Sequence, residues 1–262
     1  MNNLYAFHGA DSKTGVTMLA QSAAQLIASR RPDIDVLLLT LSGKRNAEYL
    51  CEESVTLDSL KTQLDSGIAI RKSAIRNQPP YNNLFVISGL SKEINERYYL
   101  PETAKRLIGD LSPQFKIIIT DTGSRLDSGL AVGGLAAAAK RYFVLSQNEA
   151  TLQRFERIYP VYRDMGLTFD KLIINKYYSK DPYNLEYIKK RLSVDEDRLI
   201  TVSLSEAARK AEMEHRTLLE YRTSGFLKGA KKIADEIEKE AELGPPPERK
   251  RRNWKSFIWT NT

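Results

Sequence analysis

The sequence predicts an α/β fold, a doubly wound and mostly parallel seven-stranded sheet with helices on both faces. Three observations carry that expectation. Short apolar runs alternate with stretches of helical spacing almost to residue 243. Most of the runs are continuously apolar rather than alternating, as in parallel strands covered on both faces. The chain has 262 residues, 42% of them hydrophobic, which is ample to bury a core.

The candidate strands, in order, are Leu4–His8, Val36–Leu41, Leu84–Ser88, Lys116–Asp121, Tyr142–Ser146, Lys171–Asn175 and Leu199–Val202. After the first, Leu19, Ala23, Leu26 and Ile27 recur at helical spacing, and Ile158, Val161 and Tyr162 do so later. Residues 78–83, Gln-Pro-Pro-Tyr-Asn-Asn, read as a turn-rich connector. A last helical pattern runs from Leu218 to near Leu243, where Gly244 and Pro245 to Pro247 stop it, because proline fixes φ and lacks a donor. The expected organisation is therefore a domain over residues 1–243 and an appendage over 244–262.

Composition excludes several classes. Forty Lys and Arg against 33 Asp and Glu give +7, too balanced and too apolar for a disordered chain. One cysteine, Cys51, excludes a disulfide framework and a multi-cysteine zinc site, and suits a reducing cytosol. The weakly polar run from Gly129 to Ala139 falls far short of the ~20 residues of a membrane span. No cleavable signal is visible before the first strand. The charge is uneven: residues 248–262 hold +4, leaving only +3 on the preceding 247.

The first candidate site is the stretch between the first strand and its helix, Gly9-Ala10-Asp11-Ser12-Lys13-Thr14-Gly15-Val16-Thr17-Met18. A strand, a small-residue loop and a helix N-terminus form an anion cradle, where backbone N–H groups converge and the helix dipole favours negative charge. By spelling it departs from the G-x-x-x-x-G-K-[ST] loop, and alone it reads equally as a plain turn. Two further elements single it out. Residues 116–123 form an apolar strand ending in Asp121, where a phosphate-loop protein holds its Mg2+-associated carboxylate. Residues 171–177 form another ending in Asn175 and Lys176, a position suited to a nucleotide base.

The order and spacing of these three elements resemble the MinD/ParA family of deviant-Walker ATPases over roughly residues 1–235. Residues 121–133, from Asp121-Thr122-Gly123 to Ala131-Val132-Gly133, look like the CpaE/TadZ branch of tight-adherence pilus systems. So does Ser205 to Glu214, with Arg216 to Leu219. The resemblance implies ATP and Mg2+ as cofactors, with Asp11 to Met18, Asn175 and Lys176 around the nucleotide and Thr17 and Asp121 on the metal. It also implies a cytoplasmic protein that forms a homodimer and works with pilus or secretion assembly proteins.

The departures are specific. Against the family's K-G-G-x-G-K-T, Val16 stands for the phosphate-binding lysine and Asp11 for the lysine that reaches across a dimer. Lys13 occupies a position the family gives to glycine. Thr40-Leu41-Ser42 replace the D-x-D at the end of the second strand. Losing one charge-stabilising donor commonly costs on the order of 10²–10³ in rate, so these losses imply binding with weak or absent hydrolysis.

The appendage carries Arg249, Lys250, Arg251, Arg252 and Lys255 interleaved with Trp254, Phe257, Ile258 and Trp259. On a helix Trp254, Phe257 and Ile258 share a face, the pattern of an interfacial segment on an anionic membrane. A protein-docking peptide and a nucleic-acid tail are the competing readings. DNA is disfavoured by the near-neutral body, which gives no broad basic footprint. The function expected is a spatial landmark or assembly factor for a membrane-associated machine. The alternatives are a ParA-like DNA-partitioning ATPase and a scaffold that binds no nucleotide.

Overall fold

A computed structural model of the protein describes residues 3–44, 47–51, 53–221 and 223–247. Within them a largely parallel sheet has strand order β3-β5-β2-β6-β1-β7-β8-β9. The strands are β1 (Leu4–Gly9), β2 (Val36–Thr40), β3 (Val55–Thr56), β5 (Tyr81–Ser88), β6 (Ile117–Asp121), β7 (Lys140–Ser146), β8 (Lys171–Tyr177) and β9 (Leu199–Ser203). A further strand, β4 (Asn77–Gln78), pairs antiparallel with β5. The α/β class and the seven expected strands are present, so the count of seven rises to nine. Two-residue strands such as β3 and β4 are too short to display a periodicity. The expected connector over residues 78–83 contains the end of β4 and the start of β5.

Alternation along each strand divides the core in two. Leu4, Ala6, Leu37, Leu39, Ile118, Phe143, Leu145, Leu172 and Ile174 face one layer. Their neighbours Tyr5, Phe7, Val36, Leu38, Ile117, Ile119, Tyr142, Val144 and Ile173 face the other. Both faces are apolar because both are covered, which is why these strands read as unbroken hydrophobic runs. The first layer is packed by α2 (Leu57–Asp65), α3 (Pro101–Leu111), α4 (Gly129–Ala137), α5 (Glu149–Asp164) and α6 (Leu185–Leu192). The second is packed by α1 (Val16–Arg30), α7 (Ala208–Met213) and α8 (Ser224–Glu240). In α5 Tyr162 is buried and Ile158 half-buried, but Val161 is 47% exposed and so is not on the packed face. The pattern from Leu218 begins as a short turn over Leu218–Tyr221, and the helix proper starts at Ser224.

Two contacts join neighbouring elements within a layer, away from the strands. Gly129 and Gly133 of α4 lie against α3 and the residues before it. A Cβ at Gly133 would overlap the carbonyl oxygen of Pro101 and come within 2.7 Å of the Ala104 Cβ. At the other end of the molecule Arg31, 4% exposed, donates from Nη1 to the Gly244 carbonyl at 2.6 Å and grips Asp33 through Nε and Nη2. The expected tail residues Arg249, Lys250, Arg251, Arg252, Trp254, Lys255, Phe257, Ile258 and Trp259 lie outside the described residues. Among the described residues no helix is long and apolar enough to cross a membrane.

Candidate nucleotide-binding site

The carboxyl ends of β1, β6 and β8 meet at the N-terminus of α1, as open α/β sheets arrange their ligand crevices. Gly9 N–H donates to the Gly123 carbonyl and Ala10 N–H to that of Val144, which anchors the start of the loop. Gly15 caps the helix with φ 90°, and a Cβ there would strike the Asn175 amide. A glycine is thus required twice over, for backbone and for space. Lys13 takes the left-handed region too, at φ 59°, where an L side chain costs about 1–2 kcal/mol. It does so at the position where the resemblance expects glycine.

Asp11, Lys13, Thr14, Gly15, Val16, Thr17, Met18, Asn175 and Lys176 line a single cleft of about 460 Å³. Ser12 faces an adjoining cleft of about 550 Å³ instead. The N–H groups of Gly15, Val16 and Met18 meet no acceptor among the described residues, so the helix start offers open donors. Val16 contributes only that N–H, because its side chain is 6% exposed and packs in the core. Thr14 is buried, and its hydroxyl turns back to the Asp11 carbonyl at 3.1 Å. Lys13 is exposed, and its ammonium makes no hydrogen bond or ion pair among the described residues.

Thr17 donates its hydroxyl to Asp121 Oδ2 at 2.7 Å, and Asp121 Oδ1 accepts from Gly123 N–H at 2.8 Å. Asp121 is fully buried at the end of β6. A hydroxyl and a carboxylate set side by side at an anion cradle match the hard oxygen donors that Mg2+ accepts, leaving its other positions to phosphate oxygens and water. The residues present therefore fit the ion. Among the described residues no cluster of three or more His, Cys, Asp or Glu is placed to hold a metal by itself.

Asn175 and Lys176 turn their donors toward the loop. Asn175 Nδ2 donates to the Thr14 carbonyl and Lys176 Nζ to the Lys13 carbonyl, each at 2.7 Å. In this arrangement they brace the loop. Residues 205–214, which carry part of the resemblance, supply Ser205, Ala208 and Glu212 to the cleft wall. Tyr49, Leu218 and Phe226 also line it, and Leu218 N–H donates to Met18 Sδ at 3.4 Å.

Two charged neighbours escape the sequence reading. Arg154 of α5 donates from Nε to the Ala10 carbonyl at 3.2 Å and lies 3.3 Å from Asp11 Oδ1. At the end of β2, where the resemblance expects acids, the chain supplies Thr40, Leu41 and Ser42, and a carboxylate from a distant segment lies just beyond them, outside the lining of the cleft. Glu96 packs against Gly43, 13% exposed, 3.7 Å from Arg125. No local pattern marks either residue, since both arrive from distant segments.

Beneath the cradle lies a closed hydrogen-bond relay. The Thr122 hydroxyl donates to the Phe7 carbonyl at 2.9 Å, so it must accept from His8 Nδ1–H, also at 2.9 Å. That tautomer leaves His8 Nε2 to accept from the Tyr162 hydroxyl at 2.6 Å. Burial pushes the His8 imidazole down to about 3, so it is neutral in the fold. A depressed folded-state pKa means that the unfolded chain takes the proton first. Stability from this group is complete above about pH 6.5 and declines toward pH 3, by up to about 1.4 kcal/mol per pH unit. Urea midpoints at pH 7, 6 and 5 should show that decline in the parent and a shallower one in His8→Phe. Equal slopes would refute it.

No family model matches this sequence, and neither does any curated protein. The fold does match solved structures. A ParA family ATPase from Chlorobium tepidum TLS superposes with a TM-score of 0.76 at 19% identity, over 89% of this chain and 99% of that one. The septum site-determining protein MinD from Pyrococcus horikoshii OT3, complexed with Mg-ADP, gives 0.73 at 17% over 92% and 98%. Cyanothece McdA in complex with ATP gives 0.69 at 15% over 93% and 97%. At these identities the likeness is one of fold, and it extends over nearly the whole of each structure.

Proposed function

We propose that this chain is a nucleotide-dependent positioning protein that takes up ATP with Mg2+ in the cleft at the start of α1. The observation that carries this reading is the Thr17–Asp121 oxygen pair set beside the open N–H groups of Gly15, Val16 and Met18. The fold likeness supports it, since one of the matched structures holds Mg-ADP and another ATP. The N–H groups would hold phosphate oxygens, Lys13 would add the cation that Val16 does not supply, and Thr17 and Asp121 would hold the metal. Mg2+, when bound, neutralises charge on the phosphate oxygens. Asn175 and Lys176 keep the loop in its left-handed course while the ligand is held.

Binding outlasts hydrolysis in this chain because the cradle is largely backbone, whereas the charged side chains that stabilise phosphoryl transfer are substituted. Nucleotide would then favour one conformation or a homodimer whose surface recruits partners. By its resemblance to the CpaE/TadZ branch, the machine served is a pilus or secretion assembly at the inner face of a membrane. Residues 248–262, basic and aromatic, would supply the contact with anionic lipid.

Isothermal calorimetry with Mg-ATP, Mg-ADP and Mg-GTP, repeated in EDTA, tests the central claim. Saturable binding of adenine nucleotide that weakens in EDTA is expected, with phosphate release far slower than for a competent ATPase. No heat with any nucleotide would leave the scaffold reading in its place. Co-sedimentation with phosphatidylserine vesicles should fall several-fold when residues 248–262 are removed, since each basic residue near such a surface adds about 1 kcal/mol. Equal sedimentation would remove the membrane from the proposal.

A further inference from the structure

We propose that Arg154 is a phosphate-binding residue of this cleft, held at its rim by Asp11 until an anion arrives. This rests on the nucleotide reading above and adds a residue that no loop motif contains. The sequence puts a carboxylate, Asp11, at the start of an anion cradle, which by itself would repel phosphate. The fold answers it with a guanidinium from α5, the side chain being 42% exposed. Arg154 touches the loop at two points, the Ala10 carbonyl and the Asp11 carboxylate, both through Nε. Its Nη1 and Nη2 donors meet no acceptor among the described residues. A cation with most of its donors open therefore stands at the cradle, where Val16 provides none.

The exchange is physically favourable. A half-exposed Arg–carboxylate pair is a weak and easily broken contact. A phosphate offers the same guanidinium a bidentate, charge-assisted grip with more negative charge. Asp11 also satisfies the Ser12 N–H at 2.7 Å, so its carboxylate stays within the loop when Arg154 leaves. Asp11 thus plays two parts, parking the arginine and opposing the ligand, and both weaken nucleotide binding.

The two residues are then predicted to act with opposite signs. If the pair served only to clamp the loop, breaking it from either side would have the same effect. Mg-ATP affinity is measured for the parent, Asp11→Asn, Arg154→Ala, Arg154→Lys and the double variant, with melting temperatures to confirm folding. Arg154→Ala should weaken binding about tenfold, the loss of one charge-assisted contact, and Arg154→Lys should recover part of it. Asp11→Asn should tighten binding about threefold in the parent, and by less when Arg154 is already alanine. Weaker binding in both single variants would overturn the proposal in favour of a structural clamp, and unchanged binding in both would reduce the pair to solvated charges. A parent that binds no nucleotide overturns the proposed function itself, an outcome separate from either.

Discussion

Replacing Asp121 with asparagine is expected to weaken Mg2+-dependent nucleotide binding by about 100-fold. The side chain is fully buried and accepts from the Thr17 hydroxyl at 2.7 Å and the Gly123 N–H at 2.8 Å. Asparagine keeps the shape but brings one oxygen and one NH2 group. One donor then faces another donor, and the charge that would attract the metal is gone. Hydrogen bonds to a charged group contribute about 1.5–3 kcal/mol each, so part of the loss should appear as reduced stability as well. The diagnostic quantity is the ratio of affinities with Mg2+ and with EDTA. That ratio should collapse toward one in Asp121→Asn while the metal-independent affinity changes little. An unchanged ratio would mean that the carboxylate is a strand terminus with no part in holding a cation.

The second large effect is structural. Gly133→Leu should destabilise the protein by about 3 kcal/mol, at the upper end of what overpacking commonly costs. The reason is the rigidity of what the new side chain would meet. A Cβ at Gly133 overlaps the Pro101 backbone oxygen, and one at Gly129 overlaps that of Tyr99, so α3 cannot yield by turning a rotamer. Glycine inside a helix is itself unfavourable by about 1 kcal/mol, and α4 carries Gly133 and Gly134 in nine residues. Close approach to α3 offsets that. For a chain of this length about 3 kcal/mol corresponds to a fall in melting temperature of roughly 6–12 °C. A fall of less than about 2 °C would show that the two helices can separate freely. Since α4 begins a few residues after the turn holding Gly123 and Ser124, nucleotide affinity should also drop, though less than in Asp121→Asn.

These two positions show what the sequence could and could not disclose. Asp121 was visible because a buried parallel strand is an unbroken apolar run, and a carboxylate ending one is conspicuous. The same logic located seven strands and, through the small residues after β1, the cradle. It could not find β3 or β4, whose two residues carry no period, nor decide that Val161 faces water across a helix with Pro160 inside it. Arg154 and Glu96 were invisible for a different reason. Each reaches the site across more than fifty residues of chain, and only the packing of α5 on β7, or of the segment after β5 on Gly43, brings it there. The apolar strand ending in Asn175 and Lys176 directs attention to these residues, and both line the candidate cleft, while the targets of their donors, the Thr14 and Lys13 carbonyls, come only from the folded loop.

The clasp between Arg31 and Gly244 fixes an orientation. It holds the chain after α8 at the far end of α1, whose fifteen residues at about 1.5 Å each set that point about 22 Å from the cradle. The described chain, which ends at residue 247, therefore has its last contact at the pole opposite the cleft. A surface gripped there would leave the mouth of the site pointing outward, unobstructed, with loading and unloading insulated from attachment. Under the proposed function, residues 248–262 would be a handle at one pole and the cleft a socket at the other, so that a partner recruited to the socket side would approach from the direction opposite the anchor.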